Sequence, residues 1–475
     1  MADLAVALQA ADPSDPLWGR QEAPGWWLLR LGAELLERRR HLADMAGYLD
    51  GTHLAPNLAS KATRFAYSKL RAMSGTNFAE LVVEAPRERM RPVGFRTGAE
   101  GGQDGDQQAW RIWQSNSLDA DSALIHRTAL GLGRAFVIVG GVDPEIGAPV
   151  ISIEDPAEVI VSPHPIYRRR ARAALKLFRE DGIDRAYVYV PGEVWRFERV
   201  RGLNRHDVPL LLAPSEWQVM GDPVRVPDGL VPVVEFANKP SIKGEPAGEI
   251  EAHLSILDRI DYQILQQLQI ATLQAFRQRA VKGMPNTDEH GNEIDYSDIF
   301  AADPGALWLL PDTADLWESG QVDLGPVRQA IKDDVQNLAA VTRTPLFYLS
   351  PDAASGSAEG ASLAREGLVF RTEDRISQMT EAWERVMSYA FRFAGDPERA
   401  AMPDMEVLWA PVERFSLGER YDAASKATAA GVPWRTVMQD VLGFSPQQVD
   451  RMEAERLTDA ILAPPVAPVS DGFGG

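Results

Sequence analysis

Cysteine is absent from all 475 residues, which removes disulfides, thiolate metal sites and cysteine nucleophiles together and fits a reducing compartment. Stability has to come from packing and assembly. Long apolar runs are missing too: none approaches the roughly 20 residues needed to cross a bilayer. The opening Met1-Ala2-Asp3-Leu4-Ala5-Val6-Ala7-Leu8 lacks the basic and apolar segments of a signal peptide. A soluble chain made in the cytosol, with no membrane partner, is expected. Basic charge is in short supply, 49 Lys and Arg against 68 Asp and Glu for a net charge of −19, which argues against a sequence-specific nucleic-acid binder with a broad basic face. DNA as a passing cargo remains compatible, because every phosphate neutralised by Lys or Arg adds affinity that a sliding polymer would have to break.

Catalytic signatures are equally scarce. The seven histidines form no His-x-x-x-His or Glu-x-x-His arrangement, and Gly356-Ser357 is a bare fragment of a nucleophile elbow. Gly131-Leu132-Gly133-Arg134-Ala135 stands after a helical pattern and before a strand, the reverse of a phosphate-binding glycine loop, so it reads as a helix stop with a tight turn. Asp288, His290, Asn292, Glu293 and Asp295 gather oxygens without the glycine and closing Glu of a calcium loop, and a hairpin turn is expected there. No enzymatic activity, metal or cofactor is expected. The alternative from another class is a soluble multidomain enzyme whose nucleophile and base only the fold brings together.

What is present is a change of period along the chain. Residues 25–48 carry Trp26, Trp27, Leu28, Leu31, Leu35, Leu42 and Met45 at helical spacing around Arg38-Arg39-Arg40, which reads as a solvated helix face or a subunit contact. A helix-like stretch from Phe78 leads to the turn at Pro92–Phe95. Residues 97–106 read as a hairpin or exposed loop, and one helix is expected over 106–131. From Arg134 to Phe236 short apolar runs alternate with Pro, Gly and Asp, a sheet-rich body. Within it Tyr167-Arg168-Arg169-Arg170-Ala171-Arg172 is the densest basic cluster. A strand edge or subunit interface is expected, with Glu154-Asp155 and Glu180-Asp181 as partners across the interface.

From Gly248 to Gly283 the apolar positions Ile250, Leu254, Leu257, Ile264, Leu265 and Leu268 predict one uninterrupted helix of about 30 residues with a glutamine-rich opposite face. A compact insertion follows, and a second helix opens at Pro326 and stops before Pro345. The loop 346–357 pairs an aromatic tip, Phe347 and Tyr348, with Ser and Gly. It leads into a third long helix, about 358–394, in which Gly360 and Gly367 mark a kink. A strand near 405–409, helices from 417 and a Pro/Gly/Ser tail expected to be disordered complete the chain.

Taken in order, Tyr48-Leu49-Asp50-Gly51, Val82-Val83, Arg89-Met90-Arg91-Pro92-Val93-Gly94-Phe95, Trp113-Gln114-Ser115-Asn116, His126 through Ala135, Gln278-Arg279-Ala280 and Thr342-Arg343-Thr344-Pro345-Leu346 resemble the portal proteins of long-tailed bacteriophages over about residues 30–430. The resemblance implies an α+β portal fold: a mixed wing (1–247), a stem of two helices (248–281 and 325–343), a small α/β clip (282–324) and a tunnel loop (344–357). A kinked helix returning to the wing (358–416), a helical crown (417–462) and a tail (463–475) would follow. It further implies a ring of about twelve copies at one capsid vertex, assembled in the host cytoplasm and carried in the virion. Double-stranded DNA would pass through it as non-specific cargo in packaging and ejection. The large terminase would dock on it, then a head-completion or connector protein, with scaffold and major capsid protein as assembly partners. Residues implied at the DNA channel are Phe347, Tyr348, Ser350, Asp352, Ser355, Gly356 and Ser357. Those at the partner-binding clip are Asp288, His290, Asn292, Trp308 and Trp317; Arg168, Arg169, Arg170 and Arg172, singled out above by the charge pattern rather than by the resemblance, are the candidate cluster for the subunit interface. A different head or connector component is the nearest alternative. Two features depart from the family pattern: the C-terminal region is short, and 346–364 contains no Lys or Arg, so contact with DNA there would be steric and polar rather than ionic.

Overall fold

The computed structural model describes residues 15–53, 64–200, 216–242, 245–275, 279–285, 287, 290–294, 315–318, 320, 322–350, 358–413 and 417–462. In chain order the first elements are α1 (Pro24–Leu49), α2 (Arg64–Met73), α3 (Phe78–Arg87), β1 (Pro92–Arg96), α4 (Gln107–Ser115) and α5 (Leu118–Leu132). The sheet region contains β2 (Arg134–Asp143), β3 (Ala148–Glu154), β4 (Val159–Pro163), β5 (Ala171–Glu180), β6 (Ile183–Val190), β7 (Glu193–Val200), β8 (Gln218–Val219), β9 (Val224–Arg225) and β10 (Val233–Ala237). Then come α6 (Leu254–Ala275), β11 (Arg279–Lys282), β12 (Asp315–Glu318), α7 (Gly325–Thr342), the single turn α8 (Leu346–Leu349) and α9 (Ala358–Ala394). The chain closes with β13 (Glu406–Trp409), α10 (Leu417–Ala429), α11 (Trp434–Thr436) and α12 (Pro446–Leu462).

Side-chain alternation turns the sheet region into stacked layers. Strand β2 lies between β10 and β3 in an antiparallel sheet. Its Ala135, Val137 and Val139 face a helical core, while Phe136 and Ile138 face the second sheet. A strand buried on both faces reads as a continuous apolar run, as Ala135–Val139 does. In the second, antiparallel sheet β4-β5-β6-β7-β8, Ala174 of β5 meets Phe136, whereas Ala173, Leu175 and Leu177 meet Trp27, Leu28, Leu31 and Leu35 of α1. The order through the body is therefore α1, sheet, sheet, helices.

The helical layer is α9 laid across the β2–β3–β10 sheet with α3, α4 and α5 beside it. At its centre Trp383 of α9 meets Trp113 and Phe236 edge-on, each at a ring separation of 4.8 Å. Its indole N–H donates to Nε2 of His126 at 2.9 Å. Edge-to-face geometry adds about 1 kcal/mol per aromatic pair beyond the area buried. His126 is completely enclosed, and burial pulls its imidazole down to about 3. It is neutral at physiological pH, with the proton on Nδ1 because Nε2 is the acceptor.

Several expectations are corrected. The single helix over 106–131 is two, broken at Asn116 and Ser117; Ser117 takes a left-handed φ of 56°, and Asn116 leaves the helix to hold β3 through the Pro149 carbonyl and the Ile151 N–H. Residues 97–106 are a loop exposed only in part: Gly98, Glu100, Gly101, Gln103 and Asp104 face solvent, but Ala99, Gly102, Gly105 and Asp106 are buried, and Asp106 caps α4 while accepting from Thr97 and Arg399. The triple arginine is a solvated face only at Arg40, which is exposed, since Arg39 donates to the carbonyls of Ala157 and Leu177 and Arg38 lies 3.6 Å from Glu245. The uninterrupted helix to residue 281 ends at Ala275, and 279–282 form β11, whose backbone pairs antiparallel with β12. A ladder available across the insertion outcompetes the helical period there. Gly133, by contrast, ends α5 as expected, with a φ of 84° and no room for a Cβ beside the Pro246 carbonyl.

Candidate functional site

Helices α6 and α7 run side by side and bracket residues 276–324, and the ends of the two helices nearer the body are the roots of that insertion. Those roots converge on Glu249. Its N–H donates to the Leu130 carbonyl at 2.7 Å, and its carboxylate is buried. Arg375 Nε donates to Oε1 at 2.6 Å and Asn238 Nδ2 at 3.1 Å, while Arg371 Nε and Lys239 Nζ each stand 3.2 Å from Oε2. Burial alone would push the Glu249 carboxyl up, but Arg371, Arg375 and Lys239 outweigh it and hold it down at about 2.

Arg371 extends this cluster to the second root. One terminal nitrogen donates to the Thr342 carbonyl at 2.6 Å and to Thr344 Oγ1 at 3.1 Å, and the other to the Val82 carbonyl at 2.7 Å. A single guanidinium thus joins the segment before α6, the end of α7, the start of the following loop, α3 and α9. Its planar fork of donors suits such multipoint contact. Arg343, between the two threonines, caps α7 in the left-handed region at φ 51°.

Above the roots the helix pair is tied by polar bonds. Arg259 of α6 donates twice to Asp334 of α7, at 2.7 and 2.6 Å, and Gln263 adds a third bond at 2.9 Å. These hydrogen bonds from Arg259 hold the Asp334 carboxyl below its ordinary value. Farther out, Gln274 Nε2 reaches the Val322 carbonyl at 3.1 Å. On its other flank α6 is fastened through Asp258, which accepts from Tyr48 at 2.8 Å and contacts His53 at 2.9 Å, and through Asp261, which accepts from the Thr76 N–H and hydroxyl.

The residues singled out in the sequence fall around this frame without forming one cluster. Phe347 and Tyr348 lie on α8, with rings 4.9 Å apart and Phe347 exposed; Leu349 of the same turn is buried in the main core. The aromatic pair therefore sits on an anchored turn rather than at a loop tip, and Ser350 closes that turn by donating its N–H to the Leu346 carbonyl. Asp352, Ser355, Gly356 and Ser357 lie outside the described residues, as do Asp288 and Trp308. His290 and Asn292 are exposed in a turn closed by a Thr287–Glu293 bridge, and Trp317 is exposed on β12. Of the arginines, Arg169 pairs with Glu381 at 3.0 Å and Arg172 with Glu22 at 3.1 Å. The acidic segments expected opposite them have partners in the same chain: Glu154 with Lys176 at 2.6 Å, and Glu180 with Arg185.

Sequence reading missed Glu249, Arg371, Arg375 and the Arg259–Asp334 pair. A signal existed: Arg371 and Arg375 interleave with Leu368, Thr372 and Met379, so two charges occupy the buried stripe of an amphipathic helix.

The sequence profile of the family described as "Phage portal protein, SPP1 Gp6-like" matches residues 30–460. The chain belongs to that family. The match spans the layered body, both roots and the C-terminal helices of this portal family member. Among solved structures it is similar to a chain in the virion of a native gene transfer agent particle, at 12% identity over 93% of this chain and 99% of that chain with a TM-score of 0.40. It is also similar to chains in the neck of an empty particle computed with C6 symmetry (12% identity, 85% and 98% coverage, TM-score 0.43) and in the neck of a native particle computed with C12 symmetry (12%, 84% and 98%, TM-score 0.40). No curated protein matches it at a significant level. The family assignment rests on the profile match.

Proposed function

We propose that this portal family member assembles as a closed ring of about twelve copies at one vertex of a capsid, forming the channel for double-stranded DNA in packaging and ejection. It has a structural rather than enzymatic role. In this reading the layered body is the wing, α6 and α7 are the stem, 276–324 is the clip, 344–357 is the tunnel loop, α9 supports that loop, and α10 to α12 belong to the crown. The clip, with His290, Asn292 and Trp317 together with Asp288 and Trp308, receives the terminase and afterwards a connector protein. Scaffold and major capsid protein are its assembly partners in the host cytoplasm.

The observation that carries this reading, beyond the family match, is the convergence of both helix roots and the loop start on Glu249 and Arg371. In this reading a docking event on the insertion pulls on α6, which enters the body beside Glu249, and on α7, which leads directly into the segment that opens the loop. The loop's lack of Lys and Arg between 346 and 364 suits guiding DNA without ionic grip. Electron microscopy of the purified full chain should show rings with a central channel, and a monomer in every condition would overturn the proposal. Replacing 352–357 with a shorter linker should leave rings intact and impair DNA packaging or retention; unchanged packaging and retention would remove the loop assignment alone.

A further inference from the structure

A ring built from identical subunits needs two different, complementary surfaces on opposite sides of one chain. Charge along this sequence is segregated in that manner. Residues 135–167 contain Asp143, Glu145, Glu154, Asp155 and Glu158 and no Lys or Arg, while 159–179 contain Arg168, Arg169, Arg170, Arg172, Lys176 and Arg179 and no Asp or Glu. Each stretch culminates in an exposed turn between two strands.

The basic turn joins β4 to β5 and exposes Ile166 and Tyr167, at 76% and 62%. It is ordered by its own bonds. The N–H groups of Ile166 and Tyr167 donate to His164 Nδ1, the Arg170 N–H to the Tyr167 carbonyl, and the Arg170 guanidinium lies 5.6 Å from the Tyr167 ring centre. Arg168 donates to the carbonyl of Ile242, itself 86% exposed, which widens the apolar patch. The acidic turn joins β2 to β3 and exposes Val142 and Ile146, at 50% and 42%, with Glu145 between them. Asp143 Oδ1 accepts from the N–H groups of Glu145 and Ile146, so this turn too is preformed. Asn116, bonded to the adjacent Pro149 and Ile151, brings Asp119 and Asp121 of α5 to the same end.

Register places the two turns at opposite ends of one strand. Arg134 at the start of β2 pairs with Ala237, five residues before Ile242, whereas Val142 near its end pairs with Pro149 beside the acidic turn. Ten extended residues separate them by roughly 30 Å. Two preordered patches of opposite charge on opposite sides of a chain carrying a net −19 are suited to a head-to-tail contact, because concentrated opposite charge at the contact offsets the repulsion between copies.

We propose that the 164–170 turn of one subunit seats against the 142–147 turn of the next copy of this chain. Ile166 and Tyr167 cover Val142 and Ile146, and Arg168 and Arg170 face Glu145 and the acidic start of α5. The proposal rests on the ring reading above and names the surfaces that make the ring.

The cysteine-free background gives a direct test. In the full chain, Ile166→Cys combined with Ile146→Cys should yield, under mild oxidant, a reducible ladder of covalent trimers and higher multimers, while either substitution alone stops at dimers. Arg168→Glu with Arg170→Glu should lower the ring fraction at least about tenfold through like-charge juxtaposition, and adding Glu145→Arg to the same chain should recover part of it. Rings that persist in micrographs with no ladder, or with the charge reversals indifferent, overturn this contact and leave the ring reading standing. An unmodified chain that never forms rings overturns both.

Discussion

Around Trp383 the body is closed by aromatic edges and aliphatic side chains that enclose a neutral histidine, whereas α6 and α7 add to their buried Leu257, Ile260, Val335 and Leu338 a set of polar cross-links, Arg259 and Gln263 to Asp334 and, farther out, Gln274 to the Val322 carbonyl. The two regions divide the work of the molecule. Close apolar packing fixes the body whatever its surroundings and is felt at every atom removed. Toward its outer end the helix pair is joined by directional bonds that water can replace, so its position there is expected to yield to load more readily than the body. A part proposed to receive partners in turn would benefit from the second kind of attachment.

The largest break in this contrast is expected from Trp383→Ala, which removes the side chain shared by Trp113, Phe236 and His126 and should cost about 3–5 kcal/mol in chemical denaturation. An effect below about 1 kcal/mol would mean that the body is not centred there.

Next comes Glu249→Gln, which leaves Arg371 and Arg375 buried without their counter-charge and should cost about 3 kcal/mol. Acid separates the two regions further. The Glu249 carboxyl sits at about 2 against an ordinary 4.5, so its contribution is complete above pH 4.5 and is lost as pH falls toward 2, about 3 kcal/mol in all. His126 is also depressed, to about 3 from 6.5, but it is a base. The unfolded chain takes up its proton first, so the body loses a few kcal/mol between pH 6.5 and 3 and nothing more below. Melting temperature against pH should therefore fall in two stages. Glu249→Gln should flatten the lower and His126→Gln the upper, and a single limb untouched by either change would contradict the assignment.

The same division governs what could be read from the sequence. Apolar periods outlined α1, the β2 to β6 strands, α7 and α9, because packing imposes those periods. The break at Asn116 and Ser117 was hidden, since its cause is a side-chain bond to a strand more than 30 residues on. The end of α6 at Ala275 was hidden for a similar reason: the backbone partner of 279–282 lies at 315–318. Of the candidate site, the helix, insertion, helix and loop order was legible. Glu249, 122 positions from Arg371, was not, because charge partners leave no local period.

A smaller effect is expected between the stalk helices. Asp334→Asn keeps the shape and loses the charge of the bond to Arg259, whose side chain is half exposed, so water takes over much of the interaction and the cost should be about 1 kcal/mol or less. If partner docking works through this pair, its signature will be a change in hydrogen exchange over 325–342 rather than in global stability.

The smallest change should go the other way. Arg343 ends α7 with a left-handed backbone, φ 51°, and its side chain is exposed. Glycine adopts that conformation without the Cβ penalty. Arg343→Gly should therefore raise stability by about 0.5 kcal/mol, offset in part by the greater entropy of glycine in the unfolded chain. The threonines on either side would keep their bonds to Arg371, so the root itself would be unaltered. A loss of 1 kcal/mol or more would show that the Arg343 side chain, and not only its backbone, holds the end of the helix, and would move the guanidinium from the solvent side of the junction into the set of bonds that fix it.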